Sequence, residues 1–76
     1  MFVRDIMTRD VAAVDIESSI LDAAVKMKLY DVGMVVVSEN GQPAGIVTDR
    51  DIVIRGVAEG ADPTLFAVKR LMTTQV

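Results

Sequence analysis

The chain contains no cysteine and no histidine. That excludes disulfides, thiolate nucleophiles and most transition-metal sites. It also removes the side chain best suited to moving protons near neutral pH. Such a composition is compatible with a reducing cytosol. Clustered positive charge is scarce as well. The net charge is −3, and among the 8 basic residues only Lys69 and Arg70 are neighbours. Nucleic-acid binding draws on grouped Lys and Arg to displace counterions, so a nucleic-acid partner is not expected. Long apolar runs are also missing. The opening MFVRDIMTRD mixes charges from its fourth residue and lacks the core of a signal peptide. No stretch approaches the roughly 18 apolar residues that span a bilayer. The expectation is a soluble, cytoplasmic chain without membrane insertion.

What is present is hydrophobic side chain. These residues make up 51% of a 76-residue sequence, enough for one domain. A chain of this size buries only about 60% of the surface its unfolded form exposes. So much apolar material on so small a body predicts that some stays outside and is covered by a partner, either another copy or another domain.

The pattern along the chain reads β-α-β-β-α. Residues 11–14 (VAAV) form a short apolar run suited to a strand. Ser19 and Asp22 have the spacing of a capping box. In it the hydroxyl accepts from a backbone N–H of the first turn, and the carboxylate reaches back to the cap. Ile20, Ala23, Ala24 and Met27 then mark one apolar helical face, predicting a helix to about Leu29–Asp31. Met34–Val37 is a β-branched run suited to a buried strand. Glu39-Asn40-Gly41-Gln42 predicts a hairpin turn, since Asn-Gly tolerates positive φ. Pro43 opens the returning strand, completed by Ala44–Val47. Thr48 and Asp51 repeat the capping-box spacing, and Ile52, Val53, Val57 and Ala58 supply an apolar side to a second helix. Gly60 is placed to end it.

One internal repeat stands out. Residues 3–11 read VRDIMTRDV and residues 68–76 read VKRLMTTQV. This predicts a division into one unit at 1–67 and the opening of a second at 68–76, and a chain cut from something longer.

Taken in order, VRDIMTRDV, the helix around DAAVKM, GMVVVSENGQPAGIVTDRDI and VKRLMT resemble the CBS domain, named after cystathionine β-synthase. The resemblance implies an α/β (α+β) fold: a single β-α-β-β-α motif whose small, mostly antiparallel sheet packs against two helices. It implies motifs that pair, here as a homodimer, and that bind adenosine-containing ligands such as AMP, ADP, ATP, S-adenosylmethionine or NAD. It also implies regulation of an attached or associated enzyme or transporter. No cofactor is required; the nucleotide is a regulatory ligand.

The family's ribose-and-phosphate pattern falls on Gly45, Ile46, Val47, Thr48, Asp49, Arg50 and Asp51 and is matched throughout. By this resemblance Asp51 accepts from the ribose hydroxyls, Thr48 donates toward ribose or phosphate, and Arg50 faces the phosphates. The adenine slot is implied at Asp10, Val11 and Ala12 together with Val32 and Gly33.

Each feature also has a plainer reading. Thr48 and Asp51 suffice as a helix N-cap, as Ser19 and Asp22 do. Cap and site are compatible, because a helix start offers free N–H groups to an anion. Asp49 and Asp51 diverge by about 200° on a helix and so do not converge on one metal ion. Arg55 reads as a surface ion-pair partner. Tyr30, Met27 and Met34 read as core or interface packing. Met7–Thr8 and Met72–Thr73 read as caps or strand entries. No pair of Lys, Ser, Thr or carboxylate side chains shows a catalytic arrangement, so no independent enzyme is expected. The rival to a ligand sensor is a dimerisation module that binds no nucleotide.

Overall fold

A computed structural model describes residues 12–74. Asp10, Val11 and the Met7–Thr8 pair lie outside the described residues.

Strand β1 spans Ala13–Asp15, helix α1 Ile20–Tyr30, strand β2 Met34–Glu39 and strand β3 Gln42–Thr48. The strands form one sheet in the order β1-β2-β3. β1 runs parallel to β2, with Val14 opposite Val37, so α1 must carry the chain back along the sheet. β2 and β3 are antiparallel, with Val35 opposite Val47 and Met34 opposite Thr48. The sheet is thus mixed, with its longer ladder antiparallel.

Local chemistry sets these boundaries. Both halves of the Ser19–Asp22 capping box form, at 3.1 and 3.2 Å, and start α1. Asp31 closes the helix in the left-handed region (φ 53°), its N–H donating to the Met27 carbonyl. Asn40 (φ 53°) and Gly41 (φ 79°) turn the hairpin, as the Asn-Gly pair predicts. The register shifts by one residue between Val37 and Ser38, so that Ser38 faces Pro43 and Val37 faces Gly45. Ala44 is left unpaired as a bulge. This lets Pro43, which has no N–H, sit in the strand without breaking a ladder bond.

The main core lies on one sheet face. Val14, Val35, Val37 and Val47 meet Ile20, Ala23 and Met27 of α1. Val68 and Leu71 belong to this same cluster, although the sequence places them at the opening of a second unit. A short 3-10 turn, Val68–Arg70, drives both side chains inward. On the opposite face Val36 is fully buried among the half-buried Ala13, Met34 and Ile46.

The second helix departs from the expected regular form. It starts as one α turn, Asp49–Asp51, widens to a π segment at Ile52–Gly56 and tightens to a 3-10 turn at Val57–Glu59. The Val57 N–H reaches the Ile52 carbonyl, five residues back. The extra residue per turn changes which side chains face inward. Ile52 and Gly56 point to the core, whereas Val53, Val57 and Ala58, expected on the apolar side, are exposed. Gly60 (φ 77°) ends the helix where the sequence placed it.

Candidate functional site

Thr48 is the last residue of β3 and the cap of the second helix at once. Its Oγ1 accepts from the Asp51 N–H at 3.1 Å, and its own N–H donates to Asp51 Oδ2 at 3.0 Å. These reciprocal bonds hold the Asp51 carboxylate against the end of the strand. Asp51 Oδ1 is left with only Arg55 Nε at 3.9 Å, and the Arg55 side chain is more than half exposed. A pair so long and so wet contributes little. The cap therefore uses one oxygen of Asp51, and the other has no short hydrogen bond among the described residues. Thr48 accepts within the cap, so its hydroxyl hydrogen is left over to donate outward.

The strand ladder brings a second element to this point. Thr48 is the register partner of Met34, so the α1–β2 turn lies beside the helix start. The Asp49 N–H donates to the Gly33 carbonyl at 2.9 Å and ties the two together. A Cβ at Gly33 would meet the Asp49 carboxylate at 3.4 Å, an ordinary contact distance, so the two residues are neighbours. Gly33 is exposed and Val32 half-buried, its N–H spent on the Met27 carbonyl at 3.1 Å. Ala12 enters the sheet at the same end, through the bond from Val36 N–H to its carbonyl at 3.0 Å. It is buried in the core, so it offers a strand wall rather than a free side chain.

The described site residues thus gather at one end of the sheet: the starts of β1 and β2 and the finish of β3. Arg50 is exposed beside them. Asp10 and Val11 lie outside the described residues. Asp49 borders Gly33; its proximity depends on strand register, which a helical wheel cannot show. Among the described residues no group of three His, Cys, Asp or Glu side chains is placed to hold a metal ion. A separate groove of about 390 Å³ runs between β1 and α1, lined by Ala13, Ser18, Leu21, Val25 and Leu29 among others. It includes none of the candidate residues and lies along the sheet edge instead.

The CBS domain family model matches residues 3–57. This chain belongs to the CBS domain family. Among curated proteins it is similar to the CBS domain-containing protein YhcV of Bacillus subtilis, with 40% identity over 74 residues. That alignment takes in 97% of this chain and 52% of YhcV. The chain spans about half the length, or less, of the curated relatives it matches. Among solved structures it resembles Hypoxic Response Protein I with two coordinated zinc ions, at TM-score 0.80 and 34% identity. The match covers 95% of this chain and 61% of that one. The CBS domain protein PAE2072 from Pyrobaculum aerophilum, complexed with AMP, shares the fold at TM-score 0.78 and 18% identity. There the match covers 100% of this chain and 59% of the other.

Proposed function

We propose that this CBS domain is a regulatory module that binds an adenosine-containing ligand at the Thr48–Asp51 helix start. The observation that carries the reading is the divided use of Asp51. Oδ2 is committed to the cap at 3.0 Å, while Oδ1 has only the long 3.9 Å contact with Arg55 and is the oxygen that accepts from a ribose hydroxyl in this reading. The cap orients the carboxylate before a ligand arrives, which lowers the ordering cost of binding. Thr48 donates toward the ribose or phosphate, and Arg50 stands on the exposed side for phosphate. Gly33, Val32 and Ala12 border the space for the base. The AMP complex of PAE2072 supports this choice of ligand class.

The module works as a pair. Leu21, Val25 and Leu29 recur every fourth residue on α1 and remain exposed, Leu29 at 72%. Val53 and Val57 do the same on the second helix. Covering these stripes in a homodimer removes apolar surface from water and completes sites shared between motifs. Ligand binding then shifts how the motifs pack and biases an attached enzyme or transporter.

Titration calorimetry with AMP, ATP, S-adenosylmethionine and NAD tests the reading. Binding by at least one, weakened tenfold or more by Asp51→Ala, is expected. A folded chain that binds none of them would leave the dimerisation module as the better account, since the exposed stripes stand without any nucleotide. Sedimentation at tens of micromolar should show a dimer; a monomer would contradict the pairing.

A further inference from the structure

The start of the second helix is closed by the chain itself. The first backbone N–H groups of a helix usually lack partners and can hold an anion. Here each is already bonded. The Asp49 N–H donates to the Gly33 carbonyl at 2.9 Å. The Arg50 N–H donates to Asp49 Oδ1 at 2.8 Å, and the Asp51 N–H to Thr48 Oγ1 at 3.1 Å. The Ile52 N–H turns back to the Asp49 carbonyl. The expectation that this helix start offers free N–H groups to an anion is therefore not met.

Asp49 is central to this closure. Its carboxylate occupies the Arg50 amide and sets a negative charge beside the groups a phosphate would use. The side chain is exposed and lies against Gly33, which borders the space for the base. A second carboxylate, Asp51, stands two residues on, held in the cap through Oδ2. For phosphate the described site then offers the Arg50 guanidinium and the Thr48 hydroxyl, and no backbone N–H between Thr48 and Ile52. Such a pair can meet one phosphate. A longer phosphate chain brings further charge, which meets Asp49 where open amides would have received it.

We propose that Asp49 sets the ligand's charge: the site takes adenosine carrying at most one phosphate in preference to ADP or ATP. This rests on the adenosine reading of Thr48–Asp51 and narrows its ligand class. Asp49 acts as a resident anion, and a polyphosphate must displace it from the Arg50 amide or bind against its charge.

Titration calorimetry in magnesium-free buffer with adenosine, AMP and ATP tests this. Wild type is expected to bind AMP more tightly than ATP. Added salt should narrow the gap, because screening weakens the repulsion. Asp49→Ala frees the Arg50 N–H and removes the charge, so the ATP-to-adenosine affinity ratio should rise about tenfold. Asp49→Asn keeps an acceptor for that N–H and removes only the charge, which preserves the helix start. Its ratio should rise less, by about threefold. Tighter binding of ATP than of AMP by wild type, or a ratio that neither variant changes, would overturn the selection and leave the adenosine site standing. A folded chain that binds none of the three overturns both.

Discussion

Gly45 and Thr73 approach so closely that a methyl group on Gly45 would sit 2.7 Å from the Thr73 carbonyl oxygen. The glycine that opens the GIVTDRD stretch therefore has a packing duty of its own, separate from any ligand. Gly45→Ala is expected to push the Met72–Thr73 segment off the β3 edge at a cost of about 1–3 kcal/mol. Urea unfolding measures the cost. Faster hydrogen exchange at the Ile46 and Thr73 amides, which bond each other's carbonyls, locates it.

The two capping boxes offer an internal control. Ser19→Ala and Thr48→Ala each remove one side-chain acceptor at a helix start, at 3.1 Å in both. Each should destabilise by about 0.5–2 kcal/mol. Under the proposed function only Thr48→Ala should also weaken adenosine-ligand binding. Denaturation paired with calorimetry on both variants checks this. Equal binding in the two would remove Thr48 from the site.

Leu71 and Leu65 lie six residues apart yet should respond differently. Leu71 is buried in the main core and Leu65 is 79% exposed. Leu71→Ala is expected to cost about 2–5 kcal/mol through lost burial and the cavity left behind. Leu65→Ser should stay within about 0.5 kcal/mol. Equilibrium unfolding of the two variants provides the comparison.

Asp62 closes the loop after the second helix. The Thr64 hydroxyl at 2.7 Å and the Thr64 N–H at 2.9 Å both donate to its Oδ1. These bonds favour the ionised form and hold its carboxyl below the usual carboxylate range. A depressed folded-state value means that the contribution is present above the usual range. It is lost as pH falls through that range to the folded value. Asp62→Ala should therefore flatten part of the acid-side loss of stability and leave its slope near neutral pH unchanged. Urea midpoints followed down through the carboxylate range test this.

Much of this was legible in sequence because it depends on short-range chemistry. Ser19–Asp22, Asn40-Gly41, Thr48–Asp51 and Gly60 act within a turn of the chain, and each formed where its residue types predict. The second helix was less legible. Its apolar residues fit a regular α period, but the π segment at Ile52–Gly56 changed the phase and turned Val53 and Val57 outward. Nothing in the local spacing marks that extra residue.

By itself, the sequence determined the element order, the caps and the family. Each of these rests on residues near one another in the chain or on a pattern running along it. Only the tertiary structure decided that Gly33 lies against Asp49, that one oxygen of Asp51 stays free of the cap, and that residues 68–73 complete this core. Those facts depend on strand register and on side chains far apart in sequence sharing one enclosed volume. Close packing settles such matters, and composition and periodicity do not carry them.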